Sequence, residues 1–298
     1  MASGILLLDK PLGLSSNAAL QRVRTLYERV KAGHVGSLDP LATGMLPVCL
    51  GEATKVAGDI LAGRKCYRFG IALGTRTSTG DAEGEPVETR PVPPLSAAAV
   101  ESILQRFRGV QTQVPPMYSA LKRDGQPLYR LARAGLCVPR EPRTIELGDL
   151  RLLLMTPERL DLETVCSKGT YIRVLAEDLA AALGTCGHVA ALRRVYVEPF
   201  QGQPMHSLEA LAALQAQGTA LPLMPADAPL AHLPAVTLAM AEVARVLKGQ
   251  SIRVPLPGAL PRVRIYGAAG EFLGLGETDL AGMLQPRRLL LAGPPPGA

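Results

Sequence analysis

Apolar runs and polar, Gly- or Pro-rich stretches alternate along the whole chain, and their spacing predicts the elements. Ile5-Leu6-Leu7-Leu8 is a short continuous apolar run. It predicts a buried strand that ends at the turn Lys10-Pro11-Leu12-Gly13. Val23, Leu26, Tyr27 and Val30 then recur at helical spacing, with Ser15 or Ser16 as the cap. Residues 33–44 carry Gly33, Gly36, Pro40 and Gly44 and read as a loop, with a strand expected over residues 45–50. Tyr67, Phe69, Ile71 and Leu73 alternate with other residues across 65–73, as in a half-buried strand. The polar, Gly- and Pro-rich segment 75–95 reads as a loop. Val100, Ile103, Leu104 and Phe107 mark a helix that Gly109 terminates.

Strand patterns recur at 145–154 and 160–166. A second helix is expected from about residue 171 to 183, with Ile172, Leu175, Ala176 and Leu179 inward and Gly184 at its end. Residues 188–197 read as another strand. Strands and helices interleave without a regular βαβ repeat, which favours a mixed α+β fold over a doubly wound one. Pro222, Pro225, Pro229 and Pro234 fall within thirteen residues and predict a linker. Beyond it, a helix at about 239–248 and strands near 262–266, 271–277 and 286–291 suggest a small C-terminal domain. The expected division is therefore 1–230 and 235–298, with residues 293–298 frayed.

Composition narrows the class. A chain of 298 residues with 47% hydrophobic and 19% charged residues reads as globular rather than disordered. No apolar stretch approaches the roughly 18 residues of a membrane span, and the short N-terminal apolar run has no basic segment before it. The expected location is the cytoplasm. Five cysteines, Cys49, Cys66, Cys137, Cys166 and Cys186, are widely spaced with no C-x-x-C pair, so neither a disulfide framework nor a zinc ribbon is indicated. His188 near Cys186 supplies too few ligands for a metal site, and none is expected. The formal charge of +6 favours a polyanionic partner, because cations that meet phosphates release counterions. Aromatics are scarce, at 4% with no Trp, which argues against a broad base-stacking platform.

The segment densest in chemistry runs Gly33-His34-Val35-Gly36-Ser37-Leu38-Asp39-Pro40-Leu41-Ala42-Thr43-Gly44-Met45-Leu46-Pro47. Proline biases Asp39 towards extended backbone, and the flanking glycines let main chain approach a ligand closely. By itself, an aspartate in such a loop is more often a turn former. With the downstream Gly51-Glu52-Ala53-Thr54-Lys55, however, the segment resembles the catalytic motif of the bacterial tRNA pseudouridine synthase B family. Gly4-Ile5-Leu6-Leu7-Leu8-Asp9-Lys10-Pro11-Leu12-Gly13 is similar to the family's opening motif. So are Lys65-Cys66-Tyr67-Arg68 and Thr77-Ser78-Thr79-Gly80-Asp81-Ala82-Glu83-Gly84 to its second block, and Pro115-Pro116-Met117-Tyr118-Ser119-Ala120-Leu121-Lys122 to its third. Cys166-Ser167-Lys168-Gly169-Thr170-Tyr171-Ile172-Arg173 resembles the fourth and Leu192-Arg193-Arg194 the fifth, and Gly276-Glu277 with Pro286-Arg287-Arg288-Leu289 resembles the C-terminal part. The blocks keep their order over nearly the whole chain. Val35 replaces a common Thr, and Ser15-Ser16 a usual Thr-Ser.

The resemblance implies a pseudouridine synthase fold, with a central mixed or antiparallel sheet, an active-site cleft and a small PUA-like RNA-binding C-terminal domain. It implies isomerisation of uridine to pseudouridine at position 55 in the T-arm loop of tRNA, by base flipping and with no cofactor. Asp39 is then the nucleophile or helps a glycal form, Tyr67 stacks on the flipped uracil and is available for proton removal, and Arg173 pairs with Asp39 to keep it ionised. His34 would lie against the flipped nucleotide, Tyr171 and Leu192 would help form the pocket, and Asp9 and Lys10 would shape a turn nearby. Read alone, Tyr67 and Leu192 are ordinary core residues and Arg173 a solvated one. The basic stretch 122–133 reads by default as a solvated face. The resemblance makes it part of a thumb insertion, about 115–135, in which Lys122, Arg123 and Arg130 contact RNA phosphates. The expected partner is the tRNA T-arm, met by a monomer without a guide RNA or a membrane. Three rivals remain: an RNA-binding or RNA-folding module without catalysis, a guide-dependent relative within a ribonucleoprotein, and a glycoside hydrolase that pairs Asp39 with Asp81 or another acid.

Overall fold

Alternation along strand β1 (Gly4–Lys10) decides how the chain packs: Leu6 and Leu8 enter one apolar cluster, Ile5 and Leu7 another on the opposite face. The computed structural model describes residues 2–290 except Asp124 and Pro257. The tail expected to fray at 293–298, and the last residue of the strand expected at 286–291, lie outside the described residues.

After β1 come α1 (Ser16–Leu26), β2 (Ala32–His34), β3 (Ala42–Leu50), α2 (Ala57–Ala62) and β4 (Lys65–Leu73). The chain continues through β5 (Thr75–Thr77), β6 (Pro86–Thr89), α3 (Ala97–Phe107) and β7 (Gly109–Gln113). Next follow β8 (Lys122–Arg123), β9 (Gln126–Pro127), α4 (Leu128–Arg133), β10 (Arg143–Thr156) and β11 (Arg159–Cys166). Then come α5 (Ile172–Ala182), β12 (Gly187–Val197) and α6 (Leu208–Ala216). The last elements are β13 (Ala235–Thr237), α7 (Met240–Leu247), β14 (Ile252–Arg253), β15 (Leu260–Tyr266), β16 (Phe272–Thr278) and β17 (Met283–Leu289).

Among the described residues, an eight-stranded sheet runs in the order β1-β3-β12-β4-β11-β10-β7, with β2 paired to β3. Its pairs are antiparallel except β3 with β12, which is parallel and sets Arg194 opposite Gly44. The fold is therefore mixed α/β, as the absence of a βαβ repeat predicts. One face carries Val23 of α1, Leu104 of α3, Leu175 and Leu179 of α5 and Leu211 of α6. The other face is covered by Ile60 of α2, Phe200 and Leu230, and Leu275 of β16 reaches the same cluster. A five-stranded sheet, β13-β15-β16-β17-β14, encloses a separate core with Val246 of α7.

Several expectations shift. Helix α1 is capped by the Ser15 side chain and ends at Leu26; Glu28 and Arg29 take positive φ, which turns Val30 back under the helix. The stretch 33–44 is not all loop: β2 pairs with β3, which begins at Ala42 rather than at residue 45. Segment 75–95 contains the β5–β6 hairpin, closed by a turn in which Asp81 accepts from Thr79 and the Glu83 amide. Strand β4 is buried on both faces because it lies between β11 and β12. The Pro-rich segment is no free linker. Met224 exchanges two backbone hydrogen bonds with Ile5, and Leu230 is fully buried. Just before that segment, His206 bonds to Leu7 and Asp9 in the same manner, so the outer edge of β1 is covered. No helix among the described residues is long and apolar enough to cross a membrane.

Candidate active site

The loop between β2 and β3 holds Asp39, and the residues on either side of it are pinned. The buried Ser16 hydroxyl accepts from Leu38 N at 2.7 Å and donates to Leu38 O at 2.9 Å. The fully buried Lys10 ammonium donates to Leu14 O at 2.6 Å, Pro11 O at 2.9 Å and Pro40 O at 3.4 Å. Burial is the main cause that lowers this amine to about 8, and Asp39 opposes it. The glycines have steric reasons. At Gly44, with φ +99°, an added Cβ would stand 2.2 Å from the Arg194 carbonyl oxygen.

Arg173, in the first turn of α5, is only 6% exposed and its guanidinium is fully engaged. Its Nη1 donates to Thr79 O at 2.9 Å and its Nη2 to Tyr118 O at 2.7 Å. Nε lies 3.0 Å from Asp39 Oδ2 and 3.7 Å from Asp81 Oδ2. The Asp39 side chain stays 41% exposed, so a ligand can reach it. Desolvation by the surrounding chain nevertheless pushes its carboxyl above the ordinary range; Arg173 works against this, and Asp81 adds to it. Arg173 thus orients the carboxylate, but it does not bring the acid below the ordinary aspartate value as the pairing alone suggests.

Asp39 and Arg173 border a cavity of about 840 Å³, lined among others by Tyr67, Tyr171, Leu192 and Arg194. Tyr67 of β4 and Arg194 of β12 are direct cross-strand partners, and the Tyr67 hydroxyl lies 3.4 Å from Arg194 Nη1. Burial raises the Tyr67 phenol, so it is a neutral hydroxyl at physiological pH. Tyr171 is held through its backbone, where N donates to Gln113 Oε1 at 2.7 Å and O accepts from Gln113 Nε2 at 3.1 Å. The Arg143 guanidinium stands 5.8 Å from its ring centre.

Other residues singled out from sequence lie elsewhere. His34 sits on β2 beside this loop but does not line the cavity, and its Nδ1 is buried without a partner among the described residues. Lys122 and Arg123 on β8 and Arg130 on α4 are exposed and away from the lining, although Ser119, Ala120 and Leu121 at the base of the same segment belong to it. Asp9 forms a two-pronged pair with Arg193, both distances 2.9 Å, that ties β1 to β12. Among the described residues no His, Cys, Asp and Glu side chains gather as a metal-holding cluster. Sequence reasoning missed Arg194, Lys65, Ser16 and the position of Asp81 behind Arg173. A signal for Arg194 was available: two residues after Leu192 on one strand, it points to the same face.

The fold has solved counterparts. A Cbf5-Nop10-Gar1 complex matches with a TM-score of 0.70 at 22% identity, over 97% of this chain and 85% of that one. An H/ACA RNP bound to a substrate RNA containing 2'-deoxyuridine matches with a TM-score of 0.72 at 20% identity, over the same shares of the two chains. The fold is thus shared with these two solved structures. In sequence, residues 24–172 match the model described as TruB family pseudouridylate synthase (N terminal domain). Residues 173–231 match tRNA pseudouridylate synthase B C-terminal domain, and 234–290 match Pseudouridine synthase II TruB, C-terminal. The tRNA pseudouridine synthase B of Stutzerimonas stutzeri is 49% identical over 97% of this chain and 95% of its own length. That of Chromohalobacter salexigens is 49% identical over 96% and 94%, and that of Azoarcus sp. 47% identical over 97% and 95%. The chain belongs to the tRNA pseudouridine synthase B family, a family of isomerases.

Proposed function

We propose that this chain, as a stand-alone cytoplasmic monomer, isomerises uridine to pseudouridine at position 55 in the T-arm loop of tRNA. The observation that carries this reading is the Asp39 carboxylate, part-exposed at the cavity and oriented by Arg173 at 3.0 Å. A uridine stacked in an RNA loop offers neither C1′ nor its base edges, so the nucleotide must be flipped into a pocket before a carboxylate can reach it. The cavity of about 840 Å³ has room for one nucleotide. Cleavage of the N1–C1′ bond leaves the electron pair on the base. Asp39 either bonds to C1′ or assists formation of a glycal. The retained uracil turns, C5 joins C1′, the C5 proton is lost and N1 gains one. One proton is lost and one gained, so the product is an isomer of uridine and no cofactor is needed.

In this reading Tyr67 lies under the flipped base and its hydroxyl takes part in proton transfer, Leu192 and Tyr171 close the pocket, and His34 meets neighbouring nucleotides. Residues 1–230 form the catalytic part, and Lys122, Arg123 and Arg130 of the thumb hold phosphates. Residues 235–298 form an RNA-binding domain. The test is to incubate purified protein with an unmodified tRNA transcript and no other RNA, then map pseudouridine by carbodiimide-dependent primer extension. A single stop at position 55, lost when that uridine is replaced by cytidine, is the expected result. No stop, or stops that need an added guide RNA, would overturn the reading.

A further inference from the structure

The wall of the cavity behind Tyr67 holds a guanidinium that pairs with no carboxylate among the described residues. Arg194 is 1% exposed, and its side chain donates to Met45 O at 2.7 Å, Gly36 O at 2.8 Å and the Tyr67 hydroxyl at 3.4 Å. Two carbonyls and a phenol hold the guanidinium in place but leave its charge uncompensated. A buried cation without a counter-ion is costly, and such groups persist where the charge has a task. Arg173 differs, since it is just as buried but faces both Asp39 and Asp81.

A second cation lies on the same wall. Lys65 is 5% exposed, lines the cavity and donates to Leu61 O at 2.6 Å and Gly63 O at 2.5 Å. Burial is the main cause that lowers this amine to about 8; Arg194 and Lys168 add to it, and Cys166 and Glu198 oppose it. Around the cavity as a whole, Lys65, Arg143, Lys168, Arg173 and Arg194 outnumber Asp39 and Glu141.

We propose that Arg194 stabilises the uracil anion that forms when the N1–C1′ bond breaks, a role that rests on the isomerase reading above. As the bond breaks, both electrons move to N1 and spread over the adjoining ring carbonyls, while C1′ bonds to the Asp39 carboxylate or the C2′ proton passes to it to give a glycal. The charge lasts until C5 rejoins C1′. Before and after, the base is neutral, so an uncompensated cation favours the departing state over the bound uridine; this difference is what accelerates a reaction. Tyr67, directly opposite Arg194 and sharing its Nη1, carries the same field to the base through its hydroxyl.

The experiment compares two leaving groups. Single-turnover loss of the N-linked nucleoside is followed with tRNA that carries uridine, and with tRNA that carries 5-fluorouridine, whose base is the more stable anion. Arg194→Gln should slow the uridine reaction on the order of a hundredfold, with tRNA affinity within about twofold of wild type. Arg194→Lys should recover about tenfold of that loss. Both losses should be about tenfold smaller on 5-fluorouridine, because a better leaving group leans less on the cation. A role confined to loop architecture would slow both substrates equally, and equal losses would overturn the proposal. If Arg194→Gln does not fold, the ratio for Arg194→Lys on the two substrates decides alone. Wild-type protein runs in parallel, so inactivity there would indict the isomerase reading rather than Arg194.

Discussion

The Asp39 loop and the thumb segment 115–135 are both irregular insertions at the sheet, yet they are built in opposite ways. In the first, Leu38 is bonded on both sides by Ser16 and Pro40 is held by buried Lys10. In the second, two-residue strands and one short helix present Lys122, Arg123, Arg130 and Arg133 to solvent, while Pro115, Ser119 and Leu128 are buried. Bond making tolerates little displacement, so its carboxylate needs rigid support. Phosphate binding tolerates much more, and a loosely attached arm can follow the RNA at some cost in ordering entropy. Damage to the loop should therefore cost rate, and damage to the thumb should cost affinity.

The sharpest break comes from Asp39→Asn. It should reduce single-turnover product below detection while tRNA binding stays near wild type, since in the proposed reading binding rests on phosphates and loop shape. Near-normal product would remove the carboxylate from the chemistry. Next, Tyr67→Phe keeps the ring and loses the hydroxyl, and the rate should fall by on the order of a hundredfold. An unchanged rate would leave stacking as its whole contribution. A third test uses pH. In the proposed reaction Asp39 acts as the anion, so the rate must fall as pH drops through its pKa. Desolvation sets that pKa above the ordinary aspartate value, so the acid limb of the rate profile should lie above about pH 4. A limb at or below that value would contradict a desolvated carboxylate.

The thumb side predicts smaller effects. Ala at Lys122, Arg123 and Arg130 together should weaken tRNA binding and lower the log–log salt slope by roughly 0.7 to 0.9 for each phosphate no longer neutralised. Product at saturating RNA should be unchanged. Protease should cut near residues 122–123 in the free protein and more slowly once tRNA is bound. A wild-type salt slope in the triple variant, or no protection, would refute the phosphate role. Smallest is Ser16→Ala, which leaves the buried Leu38 amide without its partner and should cost about 1–3 kcal/mol in a denaturant melt. No change there would mean that the loop does not depend on this clasp.

Periodic segments were legible in the sequence and sparsely patterned ones were not. Helix α5 and strand β12 stand close to where their apolar spacing puts them, because each buries a regular face. β2, β7 and β13 were not visible, since strands this short and this polar are defined by the neighbour they pair with rather than by their own pattern. α6 escaped because Leu208, Leu211 and Leu214 sit among alanines that show no sharp polar face. For the site, ordered motifs drew attention to Asp39, Tyr67 and Arg173, which the fold brings around one cavity. Arg194 looked like one arginine of a basic pair. Its burial follows only from β12 lying between β3 and β4 at the centre of the sheet. Ser16 looked like a second choice of helix cap, whereas its hydroxyl is spent on a loop 22 positions later.

The hydrogen bonds that join Ile5 to Met224, and Leu7 and Asp9 to His206, bear on how the protein behaves in a test tube. A bare outer strand with apolar residues on both faces is a template on which further chains can stack into aggregates. Here that edge is sealed by chain contributed more than 190 residues later in the sequence, between His206 and Met224. A version shortened after Leu230 keeps the seal, although it uncovers the surface that Leu275 packs against. One shortened at residue 205 loses the seal and should precipitate during expression, even though nearly all the residues around the cavity are still present. The Pro-rich stretch that looks dispensable in the sequence is therefore part of what keeps the catalytic sheet in solution.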